Sequence, residues 1–240
     1  NAAMVADGRA DRLEARWRDL TREQVYSLRT SIFFAGLLPG WLTLWALDSA
    51  GSLFDPQPLR DLISSSLDLA RIRASPVRLL VVATDLARRE RRVFDNQTVT
   101  VDVLMAAAAV PGAFPPVEVD GALLVDGGLI GRAPVLEVLE SGARVGRVVV
   151  VMSYAPDEMG QRPTTMRRTL EEAFEMSMIH QIRRDTELAR LKYPAVEVQL
   201  LTPSTPLLLR PLDFDATEMA RMLERGETDA VTCLGVWEGK

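Results

Sequence analysis

Three short apolar runs constrain this chain more than any other feature. Val77 to Ala83, broken only by Arg78, and Val148 to Met152 are dense in β-branched and aliphatic side chains, and Val196 to Leu201 is a third such stretch. Runs this short and this apolar read as buried strands. Their density is the mark of parallel strands covered on both faces. Helix-type sequence surrounds them. Asn1 to Asp7 stops at Gly8, and Ala10 to Leu20 places Leu13, Trp17 and Leu20 on one side. Asp55-Pro56 through Ala74 has a capping Asp and a first-turn Pro. Further helices are predicted over Asp102–Val110, after Pro134, from about Thr164 to Lys192, and from Ala216 through Val236. Strands alternating with helices predict an α/β fold with a mostly parallel central sheet and helices on both faces. With no repeat and no flexible linker in view, residues 1–240 read as a single domain.

Composition narrows the chemistry. One histidine, His180, and one cysteine, Cys233, exclude an internal disulfide, a multi-histidine site and a cysteine-based metal cluster within this chain. His180 sits in the long charge-rich helix and reads as a solvent-side residue; Cys233 reads as a small buried hydrophobe. A net charge of −5, with arginines interleaved among acids, argues against a nucleic-acid-binding face. The run Arg88-Arg89-Glu90-Arg91-Arg92 reads as a solvated hairpin tip, with contact to anionic headgroups as the sharper alternative.

Residues 30–47 form an uncharged stretch of roughly 18 residues, near the length of a membrane span. Pro39-Gly40 divides it, and each half is too short to cross a bilayer. Buried core helices and a lipid-facing helical hairpin or lid both remain open, because Phe33, Phe34, Trp41 and Trp45 suit a water–lipid boundary as well as a core.

The chemically informative block is Ala106 to Gly128. It contains Val110-Pro111-Gly112-Ala113-Phe114-Pro115-Pro116, then two short strand-type runs around Asp120-Gly121, then Val125-Asp126-Gly127-Gly128. Asp-Gly is a favoured two-residue hairpin turn, which makes Asp120 a turn residue. Asp126 ends an apolar strand and precedes two glycines, which permit positive φ and close backbone approach. A carboxylate so presented suits a fixed, partly desolvated base, although Asp-Gly-Gly by itself is also a common turn. Asp85, at the end of the run Val82-Ala83-Thr84-Asp85, reads as a loop-capping group.

Taken together, Ala-Val-Pro-Gly-Ala-Phe-Pro-Pro-Val followed by Val-Asp-Gly-Gly resembles the patatin-like phospholipase family. Leu53-Phe54-Asp55, Pro58-Leu59-Arg60 and the Thr84-Asp85 strand end agree with the family in order and spacing. Asn1-Ala2-Ala3-Met4-Val5 is similar to the helix that follows its Gly-x-Ser-x-Gly nucleophile elbow. The resemblance implies a three-layer α/β/α patatin-like fold. It also implies a serine acyl-ester hydrolase using a Ser/Asp dyad, with Asp126 in the Asp126-Gly127-Gly128 loop as the base. Pro111, Phe114, Phe33, Phe34, Trp41 and Trp45 are the substrate-pocket candidates. Partial desolvation would have to raise the basicity of Asp126, and glycine-loop N–H groups would hold the oxyanion. No metal or other cofactor is implied. The implied partner is a phospholipid or other acyl ester, with peripheral membrane contact, no nucleic acid and no oligomeric state specified. The implied location is cytoplasmic or peripheral to a membrane.

Three departures qualify the resemblance. Ala107 stands where the family commonly has Ser, and Arg132, near Pro134, stands where it commonly has Asn. No Gly-x-Ser-x-Gly and no glycine-rich oxyanion loop occur in the 240 residues. The expectation is therefore that Asn1 follows shortly after the nucleophile, that the first strand, oxyanion loop and elbow precede it, and that residues 1–240 alone are inactive. Any targeting segment would also lie there. The alternative is a catalytically silent patatin-fold protein that binds lipid or acts as a scaffold.

Overall fold

Asp120 and Gly121 both take left-handed backbone angles, φ 50° and 73°, as a type I′ turn requires. They close a hairpin between β5 (Val117–Val119) and β6 (Ala122–Asp126), paired antiparallel with Val119 opposite Ala122. A second hairpin joins β3 (Leu80–Asp85) to β4 (Glu90–Asp95) through residues 86–89, with Arg89 at φ 57°. These hairpins belong to a computed structural model that describes residues 1–29, 42, 51–131, 133–155, 162–207, 212 and 214–235. The chain divides into two compact units, residues 1–130 with 214–216, and residues 131–213 with 217–240.

In the first unit the strands lie in the order β4-β3-β6-β5, every pair antiparallel. This corrects the expected mostly parallel sheet. Within the β5–β6 and β3–β4 hairpins, connections of two and four residues return the chain alongside itself, whereas a parallel pair needs a crossover of a dozen residues or more; β3 and β6 then join the two hairpins antiparallel. The apolar density of Val77 to Ala83 has another source. Leu79 and Ala83 join the core with Phe94, Val99, Val103, Val119 and Leu124, while Leu80 and Val82 stay half-buried. Helix α5 (Val101–Ala107) covers this core through Val103 and Ala106 and is capped by the Thr100 hydroxyl, which accepts from the Val103 N–H. Each fully buried Leu, Val or Phe stabilises the unit by about 1.5–3 kcal/mol.

The remaining elements of the unit are α1 (Ala2–Asp7), α2 (Ala10–Asp19), α3 (Gln57–Ser66), α4 (Leu69–Ala74) and the two-residue pair β1 (Ser27–Leu28) and β2 (Phe54–Asp55). Gly8 ends α1 in the left-handed conformation, as its position predicts. The single helix expected over 55–74 is two. Leu67 is extended, and the Asp68 carboxylate accepts from the N–H groups of Ala70 and Arg71, starting α4 afresh. Asn96 is buried and fully engaged: its Oδ1 accepts from Leu79 N–H, and its Nδ2 donates to the carbonyls of Ile72 and Val77.

The second unit contains the parallel pair foreseen in the sequence. β7 (Arg147–Val151) and β8 (Glu197–Leu201) run parallel, with the 27-residue helix α7 (Met166–Lys192) between them in the chain. α6 (Val135–Glu140) precedes β7, and α8 (Ala216–Leu234) follows β8. Val135, Val150, Met152, Ile182, Ala189 and Val198 form the core of this unit. His180 is exposed on α7, as expected. Cys233 is exposed too, against expectation. It lies in the last turn of α8, where the Gln199 amide donates to its carbonyl rather than apolar side chains enclosing its sulfur.

The run 30–47, Phe33, Phe34, Trp41, Trp45 and Arg132 fall outside the described residues, and Leu42 alone of that run is described. Among the described residues no helix is long and apolar enough to cross a membrane.

Candidate active site

Asp126 is the last residue of β6, directly opposite Ala83 of β3. Three separate parts of the first unit hold its main chain and side chain. Its N–H donates to the carbonyl of Ala109 at 3.0 Å. Its carbonyl accepts from the Thr84 hydroxyl at 3.0 Å. Its Oδ1 accepts from the Gly128 N–H at 2.7 Å, capping a short 3₁₀ turn over Gly127–Leu129. The carboxylate is half-buried, so it is neither locked in the core nor loose in water.

Gly127 is needed for space rather than for a left-handed backbone. A Cβ there would stand 2.4 Å from the Val82 carbonyl oxygen and 2.7 Å from its carbon. The turn after Asp126 is therefore laid directly on the main chain of β3. Any larger residue pushes the two apart.

The loop before β5 is pinned to the segment that carries β2. After α5, Ala113 and Phe114 donate to the Val110 carbonyl at 3.1 and 3.0 Å, and Gly112 takes φ 84°. The Gly112 and Ala113 carbonyls accept from Leu53 and Phe54 N–H at 3.0 and 2.9 Å. Phe114 is 5% exposed and packs with Tyr26 and Phe54 at ring-centroid distances of 6.2 and 5.9 Å, while Tyr26 also meets Phe214 at 6.4 Å. Aromatic rings at these separations attract through their quadrupoles as well as by burial. Of the two described pocket candidates, Phe114 is thus enclosed by aromatic neighbours and Pro111 is exposed at the loop tip.

Asp85 behaves as the capping group its position suggests. It is 1% exposed, accepts from the N–H groups of Ala87 and Arg88 at 3.0 Å, and has the Arg92 guanidinium 3.8 Å away. Arg88 and Arg89 are exposed at the hairpin tip. Arg91 and Arg92 are strand residues instead. Arg91 donates to the Ile130 carbonyl at 3.3 Å, which ties down the far end of the loop containing Asp126, and Arg92 lies over the Phe94 ring.

The two residues that sequence reasoning passed over are Thr84 and Ala109. Thr84 had a signal, a hydroxyl at the end of an apolar strand, where a polar side chain must find a partner. Ala109 had none, because it acts only through its carbonyl.

The Patatin-like phospholipase family model matches residues 1–139. The chain belongs to the patatin-like phospholipase family. The match covers residues 1–130 of the first unit, including Ala83, Thr84, Ala109 and Gly128 around Asp126. Family membership supports a phospholipase- or esterase-type hydrolase acting on acyl esters of lipids, and it accords with the α/β fold.

Proposed function

We propose that this patatin-like chain hydrolyses lipid acyl esters through a Ser/Asp dyad in which Asp126 is the base. In this reading the nucleophile is a serine that precedes Asn1, and residues 1–240 form one patatin-like domain that has no turnover without it. The observation that supports the reading best is the three-way restraint of Asp126 by Ala109, Thr84 and Gly128 within the matched region.

A serine hydroxyl attacks an acyl carbonyl only when a neighbouring base takes its proton. The Asp126 carboxylate accepts that proton as the serine oxygen bonds to the carbonyl carbon. The proton then passes to the departing alcohol as the ester C–O bond breaks. Water, deprotonated by the same carboxylate, hydrolyses the acyl-enzyme and frees the fatty acid and the serine. The Gly128 N–H fixes the direction of one carboxylate oxygen, and such fixing is worth most when reactants must meet at near-attack distances. Pro111, Phe114, Phe33, Phe34, Trp41 and Trp45 stay the candidates for contact with the acyl chain, and apolar contact with a lipid surface accompanies turnover.

The test uses the chain extended upstream to include the serine. Fluorophosphonate labelling and nitrophenyl-ester turnover are measured for the parent and for Asp126→Asn. The expected result is labelling of the parent and a loss of turnover of about 100-fold or more in the variant, as for removal of a positioned base. Unchanged turnover in Asp126→Asn sinks the dyad. An upstream elbow with Ala or Gly in place of Ser sinks the hydrolase and leaves the lipid-binding scaffold.

A further inference from the structure

A cavity of about 460 Å³ lies within the second unit, beyond the C-terminal ends of the parallel strands β7 and β8. The ends of parallel strands are where α/β sheets most often receive ligands, and this volume is in the range of small-molecule sites. The wall is largely apolar, with Val151, Met152, Ile182, Leu201 and Met222 among its residues. Ser153 and Thr202 also border it, and its charged groups are Arg225 and Asp229 of α8, which meet the loop after β8.

The side with Arg225 and Asp229 is organised rather than merely charged. The Arg225 guanidinium donates to the hydroxyls of Ser204 and Thr205. The Asp229 carboxylate accepts from the Ser204 hydroxyl at 2.6 Å and the Ser204 N–H at 3.1 Å, which lowers its pKa and keeps it ionised. Arg225 and Asp229 stand 3.7 Å apart. The pair offers directed hydrogen bonds without net charge, so a free carboxylate or phosphate placed on Arg225 also meets the field of Asp229. A hydroxyl or ether oxygen meets no such penalty.

Gly226 adds an independent point. It lies well inside α8, where glycine weakens a helix relative to alanine, and it borders the cavity. Packing does not call for it: among the described residues nothing outside its own helix backbone lies within 4 Å of where its Cβ would stand, and its φ is not left-handed. A side chain there would project into open space at the cavity's edge.

We propose that this cavity binds a single-chain amphiphile with an uncharged, hydroxyl-bearing head, its chain against Met152, Leu201 and Met222 and its head against Arg225. The site is made of second-unit residues, almost all beyond the matched region, and the inference does not rest on the hydrolase reading.

The probe is monododecyl glyceryl ether, which has no ester to cleave, titrated below its micelle concentration by calorimetry against the full chain. One equivalent is expected to bind, with laurate at least 10-fold weaker. Gly226→Leu is expected to weaken binding at least 10-fold while raising helicity or leaving it unchanged, and Met222→Trp provides the same occlusion from the neighbouring turn. Arg225→Gln is expected to narrow the preference for the ether over laurate to less than threefold. Asp126→Asn is expected to bind as the parent does, whether or not the dyad exists. Absence of saturable binding overturns the proposal. So do full affinity in both occluded variants, equal or tighter binding of laurate, and loss of binding in Asp126→Asn.

Discussion

Replacing Gly127 with alanine tests how the candidate base is held. The added Cβ would lie 2.4 Å from the Val82 carbonyl oxygen, where real Cβ contacts rarely come below 3.0–3.4 Å. The turn after Asp126 and the main chain of β3 must therefore part by about 0.6–1.0 Å, the difference between those distances. The two nearest atoms, the Val82 carbonyl oxygen and carbon, are main chain, so no side-chain rotation relieves the contact. One side-chain bond crosses that seam, Thr84 to the Asp126 carbonyl at 3.0 Å. A displacement of that size carries it past hydrogen-bonding distance, at about 0.5–1.5 kcal/mol. Overpacking adds about 1–3 kcal/mol. The expected loss is about 1.5–4.5 kcal/mol, measured from urea unfolding followed by circular dichroism, with hydrogen exchange rising first in β3 and β6. Gly146→Ala is the control, since among the described residues nothing lies within 4 Å of its Cβ position, and it is expected to stay within about 0.5 kcal/mol of the parent. Equal unfolding midpoints for the two variants would refute the argument from the close approach.

Two further expectations follow from the same region. Thr84→Val keeps the shape of a side chain that is 2% exposed but removes the donor to the Asp126 carbonyl. It is expected to cost about 1 kcal/mol of stability and, in the chain carrying the upstream serine, to lower kcat roughly tenfold with little change in KM. Thr84→Ser should restore both, and a matching fall in Thr84→Ser argues that shape and not the hydroxyl matters. The Asp95 carboxylate accepts from the Thr98 hydroxyl and from the N–H groups of Thr98 and Gln97, which holds its pKa below the ordinary 3.8. A depressed folded pKa means the stabilisation is complete above the unfolded value and is lost as pH falls through the folded one. Stability should therefore decline below about pH 4, and Asp95→Ala should flatten that decline in urea midpoints taken from about pH 5 to pH 2.5. An identical acid slope in the variant would dismiss the contribution.

Where the sequence was read correctly, the signal was local and the geometry had few solutions. Asp120-Gly121 admits one favoured hairpin turn, and Gly8 after a short helix admits one kind of stop. The parallel pair β7–β8 was legible because a long helical segment separates two apolar strands, which is what a crossover needs. In the first unit the two hairpins were legible, at Asp120-Gly121 and at the charged tip within Arg88 to Arg92, and what failed was the extension to a mostly parallel sheet. Val77 to Ala83 has the composition of a parallel strand, yet the short connection Leu86 to Arg89 sets its direction against β4. The break between α3 and α4 escaped for a related reason: Asp68 is unremarkable as a helix residue until its carboxylate is seen accepting from Ala70 and Arg71.

The site shows where residue identity runs out as a guide. Asp126 could be singled out because carboxylates carry chemistry and glycines mark unusual backbone. Yet the reason for Gly127 was only half legible. Two glycines in a row suggest positive φ, whereas this one is demanded by the Val82 carbonyl lying where its Cβ would be, a fact about a strand more than forty residues away in the chain. Two of the restraints described for Asp126 involve its own main chain, and one of those ends on the carbonyl of an alanine. Main-chain groups are present at every position, so no sequence pattern marks the one that is used. A base in a dyad has no histidine between it and the nucleophile to absorb a misalignment, and its direction must come from the backbone beneath it. On that argument the residues that matter most after Asp126 are those that set the seam between β3 and β6. Substitutions at Thr84 and Gly127 should then lower turnover more than substitutions at the exposed Pro111, although Pro111 belongs to the more conspicuous motif.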